Sequence, residues 1–424
     1  MYEALDMIIT HPIARVAVTV GCCCLLGVAA TSEELSLDQA LEIALKNNPG
    51  VAAEQLSADA ARQAARGARV LVSPETTIAA DIVGSAGSDS AVLFSQPLEI
   101  NGSRKLRGDI AAHQAIAMSS HAAAAMRSLA LLVKQSYWDI ASAQELVRLN
   151  QDNLLYLNTL SESVQKQYDV GAVPGSQIIK TEVEIAKARQ ELTQAILGLS
   201  LAKSYLNALM NRPNDTDFTA ADRLEFTAVV LDKEALQTSA LANRPEMVSA
   251  QSQAAAATLQ IRAAKIRRAP DVAVQARRES FGADDDGGVA FVITLPFLDW
   301  GSIRSDAKQA EIEAQRQQKL SEAMTVNVTA EVQESIQRVA ALSQIVREYD
   351  EGILSKSEEL AQMAQIGYDK GATNYLEVLE AQRTLRSTRA EYYSVLADYS
   401  KALALLEWAT GSNLSDGNHH EATK

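Results

Sequence analysis

Glu377 and Glu380 are the acidic pair in this chain with the clearest capacity for chemistry. Three residues apart, they share one face of a helix. Two carboxylates so placed can gather cations; they can equally be an ordinary solvated face, and their own spacing leaves both readings open. The other candidates are weaker. His113 and His121 lie eight apart in an Ala-rich stretch, and His419 and His420 stand in the C-terminal tail. A metal site needs several convergent ligands, so solvated surface positions account for them better. Asp284-Asp285-Asp286 could bind a divalent cation, but a flexible acidic turn is the simpler reading. All three cysteines, Cys22, Cys23 and Cys24, fall in the first thirty residues. The remainder therefore offers no thiol nucleophile, disulfide or thiolate ligand. With no Gly-rich phosphate loop either, the sequence points to no catalytic residue, no metal site and no cofactor, and so to a non-enzyme.

The N-terminal thirty residues have their own logic. Arg15 is followed by a mostly apolar run over residues 16–28, then Val28-Ala29-Ala30 and an acidic Glu33-Glu34. A charged start, a short apolar run and a small-x-small site predict a signal peptide cleaved after Ala30. A retained anchor and lipidation at Cys22 are the alternatives. The run is shorter than the ~20 residues that span a bilayer. A net charge of −14 argues against nucleic acid as a partner, since phosphate binding needs a basic surface.

The elements that must position Glu377 and Glu380 come in two copies. Asn47-Asn48-Pro49 returns as Asn243-Arg244-Pro245, and Arg66 and Pro74 as Arg262 and Pro270, all at an offset of 196. Ser95-Gln96-Pro97-Leu98 and Gly102-Ser103 return as Thr294-Leu295-Pro296-Phe297 and Gly301-Ser302 at 199, as does Val147 in Val346. Tyr168-Asp169-Val170-Gly171-Ala172 returns as Tyr368-Asp369-Lys370-Gly371-Ala372 at 200. Solenoid units run roughly 20–50 residues, so this is a duplicated subdomain. The expected division is 1–30 signal peptide, 31–212 first repeat, 213–230 connector, 231–411 second repeat and 412–424 disordered tail.

Each copy reads as helix, hairpin, long helix, helix, giving a mainly α fold with a small β part. Strands are expected over 76–83 and 91–98, and over 272–281 and 289–297. The glycine-rich loops between them place Gly84, Gly87, Gly287 and Gly288 at loop tips. Long helices run from 104 to 170 and from 303 to 370, roughly 100 Å each at 1.5 Å per residue. Val133, Ile140, Val147 and Leu154, with Leu129, Leu157 and Val164, mark a seven-residue seam in the first copy. Val332, Val339, Val346, Ile353 and Leu360 mark it in the second, and the seam argues for coiled-coil packing. Gly171 and Gly371 end these helices. Pro174, near N1, opens a helix over 176–210, and its twin runs over 374–409.

These residues together resemble the TolC-like outer-membrane efflux protein family, across about 36–411. The likeness rests on the duplication, the Leu41 to Pro49 opening, the Ser95 to Arg104 turn and Tyr-Asp-x-Gly-Ala at 168 and 368. The turn at 95–104 is most similar to CzcC-type members, which serve heavy-metal efflux. The resemblance implies a homotrimer in the outer membrane of a Gram-negative bacterium, extending into the periplasm. Each subunit would give four strands to a shared twelve-stranded transmembrane β-barrel set in outer-membrane lipid, above a trimeric α-barrel tunnel. Paired shorter helices would stack end to end beside each long one. Glu377 and Glu380 would sit at the periplasmic constriction as a gate, six carboxylates per trimer. Gly171, Ala172, Gly371 and Ala372 would form the tips that dock a periplasmic adaptor (membrane fusion) protein, and an inner-membrane pump of the RND type would supply the energy. Thr373 and Gln177 stand where some members carry an inter-helix salt clasp, which leaves that lock in doubt. The resulting expectation is a passive exit duct for metal cations or small toxic compounds. The alternatives are a duct of a type I protein-secretion system and a soluble periplasmic coiled-coil scaffold or adaptor.

Overall fold

Two long helical struts set the length of the molecule. The computed structural model describes residues 33–80, 90–281, 284–296 and 300–412. The expected signal segment with Ala30, the loop holding Gly84 and Gly87, and His419 and His420 lie outside the described residues. The first strut is α3 (Ser103–Asp169), 67 residues without a break. Its counterpart comes in three pieces, α7 (Ser302–Glu348), a π-helical turn (Tyr349–Ile353) and α8 (Leu354–Asp369).

Shorter helices lie along the struts. α1 (Leu37–Asn47) opens with a capping box between Ser36 and Gln39. Asn48 then caps α2 (Pro49–Ala68), its Oδ1 accepting from Gly50 N at 2.9 Å, with Pro49 at N1 where no donor is missed. Asn48 Nδ2 also donates to the Leu209 carbonyl at 3.0 Å, which joins α4 (Ser176–Leu209) end to end with that pair. The second copy repeats the plan with α5 (Lys233–Asn243), α6 (Pro245–Ile266) and α9 (Tyr375–Thr410). Strut α3 packs against α2 and α4 of its own copy and against α6 and α9 of the other, so the repeats share one body. Pro174 stands two residues before the first residue of α4, whose N-cap is Gly175.

The seam holds until the π turn. Val133, Ile140, Leu157 and Val164 are buried on α3, and Val332, Val339 and Val346 on α7. Ile353 and Leu360, expected on the same seam, are exposed. A π turn takes in one residue more than an α turn, so the buried face advances by one. Leu354, half-buried, and Ala361, buried, take the places of Ile353 and Leu360. The buried positions of the two struts accordingly correspond at 199 up to Val346 and at 200 from Ser357 onward, Leu157 matching Ser357 and Val164 matching Ala364.

The segment expected as a connector does more than connect. Phe218 is fully buried, and β4 (Phe218–Ala220) pairs in parallel with β1 (Glu33–Leu35). The buried Tyr137 hydroxyl on α3 donates to the Leu35 carbonyl at 2.8 Å and accepts from Asp222 N at 3.1 Å. These bonds fasten the segment to the middle of the first strut.

At one end of the struts lies an antiparallel sheet in the order β2 (Glu75–Ala80), β3 (Ser90–Leu98), β5 (Asp271–Phe281), β6 (Asp284–Thr294). β6 begins five residues earlier than expected. Phe281 pairs with Asp284, and Gly287 and Gly288 sit within the strand opposite Arg278 and Arg277 rather than at a loop tip. The register resolves the weak alternation of the sequence. Ile78 faces Val92, Phe94 faces Ala276 and then Val289, Val274 faces Phe291, and Val272 faces Ile293. One face is thus mostly apolar across all four strands, interrupted by Thr76, Gln96 and Arg278, while Thr77, Ser95, Gln275 and Arg277 lie on the other. Ile78, Val289, Phe291 and Ile293 are each more than 60% exposed. Among the described residues, both outer strands, β2 and β6, have an unpaired edge.

Candidate functional site

The opposite end of the struts carries the two turns singled out in sequence, and they are built alike. Gly171 and Gly371 both have φ of 73°, the left-handed region that favours glycine at a helix end. Gly171 N donates to Tyr168 O and Ala172 N to Gln167 O; Gly371 N donates to Tyr368 O and Ala372 N to Gly367 O. Ala172 and Ala372 are exposed at the apices. The two turns are also tied together, since the Tyr368 hydroxyl donates to Gln167 Oε1 at 3.1 Å. Beneath them Leu157, Leu160, Val164, Ala188, Tyr375 and Leu379 form a buried cluster.

Asn374 caps α9 by accepting from Glu377 N at 3.0 Å, which places Glu377 in the first turn. An acid is favoured there by the helix dipole. Glu377 and Glu380 are both exposed and line a groove of about 690 Å³ with Ile179, Lys180, Glu184 and Arg383. The two acids come together as the spacing predicted. Lys180 on α4 occupies the same groove, so its three carboxylates and two cations leave one net negative charge.

Gln177 and Thr373 make no clasp. Thr373 Oγ1 donates back to the Ala364 carbonyl at 3.1 Å, and Gln177 Oε1 is buried with no partner among the described residues. Helices α4 and α9 are joined by other residues. Thr181 and Tyr375, both buried, share a hydroxyl–hydroxyl hydrogen bond of 2.6 Å. Arg383 pairs with Glu184 at 2.7 Å, and Glu184 also takes Lys187 at 3.3 Å. Burial alone would push the Glu184 carboxyl up, but hydrogen bonds from Arg383 and Lys187 reverse this and hold it below the usual carboxylate range. Further along, Arg386 pairs with Glu191 and reaches Asn150 Oδ1 on α3 at 3.3 Å. Sequence reasoning missed this ladder. Its signal was present in Glu184 and Glu191, seven residues apart on α4, opposite Arg383 and Arg386 on the start of α9.

Among the described residues the histidines do not converge. His121 Nδ1 lies 3.1 Å from Glu54 Oε2, and His113 Nδ1 is buried with no partner among those residues. Among the described residues no group of three or more His, Cys, Asp or Glu is placed to hold a metal ion.

Residues 40–212 and 236–412 both match the family model described as outer membrane efflux protein. The cobalt-zinc-cadmium resistance protein CzcC of Cupriavidus metallidurans is 24% identical over 382 residues, covering 89% of this chain and 90% of the relative. A membrane protein of Pseudomonas aeruginosa superposes with a TM-score of 0.77 at 19% identity, over 90% of this chain and 91% of that one. The open state of the MtrE outer membrane channel of Neisseria gonorrhoeae superposes with a TM-score of 0.76 at 20% identity, over 89% of each chain.

Proposed function

This chain belongs to the outer membrane efflux protein family, and from that premise we propose that three copies assemble into a passive exit duct across the outer membrane and the periplasm. The observation that carries the proposal is the open-edged sheet with its exposed apolar face. Four strands cannot close on themselves, and an unpaired strand edge in hydrocarbon costs several kcal/mol per backbone group. Strands β5 and β6, at 11 residues each, have the length that a tilted spanning strand requires. Three such sheets edge to edge make one twelve-stranded barrel with the apolar face outward to lipid and the polar face toward the lumen. A soluble scaffold has no use for that apolar face.

The struts then form the periplasmic tunnel. The paired turns at Gly171-Ala172 and Gly371-Ala372 are the tips that meet a periplasmic adaptor, and Glu377 and Glu380 ring the tunnel mouth. Cargo is driven by an inner-membrane pump of the RND type. Divalent metal cations are the proposed cargo class, supported by the similarity to CzcC and by the net negative groove; the groove is less negative than the two acids alone suggested, because Lys180 shares it. The ladder of Thr181–Tyr375, Glu184–Arg383 and Glu191–Arg386 holds the mouth closed in place of the missing clasp. Light scattering with detergent-corrected mass tests the assembly. A trimer recovered from the outer-membrane fraction is expected; a monomer that needs no detergent would sink the duct reading.

A further inference from the structure

The end of the struts nearest the sheet carries charge that local helix physics disfavours. Neither α3 nor α7 has an acid in its first turn. Arg104 and Lys105 occupy that turn in α3, and Arg304 occupies it in α7. The N-terminus is the positive end of the helix dipole, so cations there are destabilising unless an anion answers them. In the first copy Glu99 answers part of this cost, its Oε1 accepting from Ser103 Oγ at 3.2 Å, but Arg107 already claims that carboxylate.

Helices α2 and α6 end at the same level. Arg107 Nε donates to the Ala68 carbonyl at 3.0 Å, and a Cβ added at Gly102 would meet Ile266 Cδ1 at 4.0 Å. At and around these ends stand Arg69, Arg262 and Arg268. All six cations are exposed, and among the described residues none has a carboxylate partner. Their neighbours are matched: Arg107 with Glu99, Arg267 with Asp306 and Lys265 with Glu311. An unmatched basic belt is therefore a local feature of a chain with 53 acidic and 39 basic residues overall.

An aromatic side chain stands beside this belt. Trp300 is 95% exposed and has φ of 50°, a conformation a bulky residue adopts at a cost. In the first copy the same turn position holds Asn101, whose side chain accepts from Ser103 N at 3.0 Å. The second copy gives up that hydrogen bond for an indole that no described residue covers. The last apolar row of the sheet, Leu98, Val272 and Ile293, ends at this level. Indoles favour the headgroup zone of a bilayer, and basic side chains favour anionic headgroups.

We propose that this belt is a binding surface for anionic phospholipid headgroups of the periplasmic leaflet, with Trp300 fixing the depth of the barrel. The proposal rests on the outer-membrane reading above. The test uses full-length protein in phosphatidylcholine vesicles containing an equal fraction of brominated phosphatidylglycerol or brominated phosphatidylcholine. Trp300 emission is taken as the difference between wild type and Trp300→Phe. Quenching by the anionic lipid should be about fivefold more effective, the factor expected if a single cation acts at its usual strength near an anionic surface. The contrast should vanish in Arg104→Gln/Lys105→Gln/Arg268→Gln/Arg304→Gln; if that variant fails to assemble, the wild-type lipid comparison alone decides. Equal quenching by the two lipids in inserted trimers overturns the belt and leaves the duct standing. Loss of the contrast on adding inorganic phosphate would assign the belt to soluble anions and overturn the lipid reading. Failure of the protein to insert in either vesicle overturns both.

Discussion

Breaking the ladder between α4 and α9 should open the tunnel. The sharpest perturbation is Tyr375→Phe combined with Arg383→Gln. Phenylalanine keeps the ring that packs near Tyr368, with centroids 6.4 Å apart, and removes only the hydroxyl bonded to Thr181. Thr181 keeps its bond to the Gln177 carbonyl at 2.9 Å, so the loss is one buried hydrogen bond, about 0.5–1.5 kcal/mol. The Arg383–Glu184 pair is 49% exposed on the arginine side and 17% on the glutamate side, which holds its worth to about 0.2–1 kcal/mol after screening. Each chain then loses roughly 0.7–2.5 kcal/mol, and three chains moving together roughly 2–7.5 kcal/mol, about one and a half to five decades in the opening equilibrium. Single-channel recording in planar bilayers reads this as frequent high-conductance events in the variant against rare ones in wild type. Acid supplies a second arm. Because the folded state lowers the Glu184 pKa below 4.5, its contribution is complete above that value and is lost as pH falls through the lower folded value. Wild type should therefore open progressively below about pH 4.5, and the double variant should lack that response. An intact trimer with wild-type conductance and the same acid response would refute the ladder as the lock.

Three further outcomes are expected. Glu377→Gln with Glu380→Gln should leave Lys180 unopposed at the groove and turn a weakly cation-selective mouth toward anions, measured as a shift in reversal potential under a salt gradient; an unchanged potential would make the two acids an ordinary wet face. Deleting Gly352 should convert the π turn to regular helix without moving the buried faces on either side, so the melting temperature should hold or rise, and a fall of several degrees would show that the extra residue is needed for stability. Arg244 is 3% exposed, lies 3.2 Å from Glu246, also pairs with Glu331, and covers the Trp408 ring at 4.5 Å; Arg244→Met should cost about 1–3 kcal/mol in denaturant unfolding by taking the guanidinium from both carboxylates.

Much of the architecture was readable because helix signals are local. Ser36, Asn48-Pro49 and Gly411 each mark a helix end by their own chemistry, and Gly371 ends its helix as its position predicted. The hairpin was misjudged for the opposite reason. Asp284 to Gly288 looks like a loop by composition, and only its pairing with Arg277 to Phe281 makes it a strand. That Glu377 and Glu380 share a helical face follows from their spacing, whereas the Thr181–Tyr375 bond joins residues 194 apart and depends on how two helices are brought together. The parallel pairing of Glu33–Leu35 with Phe218–Ala220 was hidden likewise, since three residues carry no period.

The π turn gives the paired struts a property that a uniform pair would lack. Each strut is pinned at both ends, by the sheet on one side and by the Tyr368–Gln167 bond at the turns. Between fixed ends, one surplus residue cannot lengthen a rod; it can only be taken up as slack at one place. That place lies beside Tyr349 and Tyr392, whose hydroxyls bond across to Glu391 and Asp350. The two struts therefore differ in compliance although they match in packing, and a load applied to the turns should bend the second strut first. Any motion that opens the mouth is then born asymmetric, with one half of each subunit yielding around a built-in elbow while the unbroken helix beside it keeps the molecule's length.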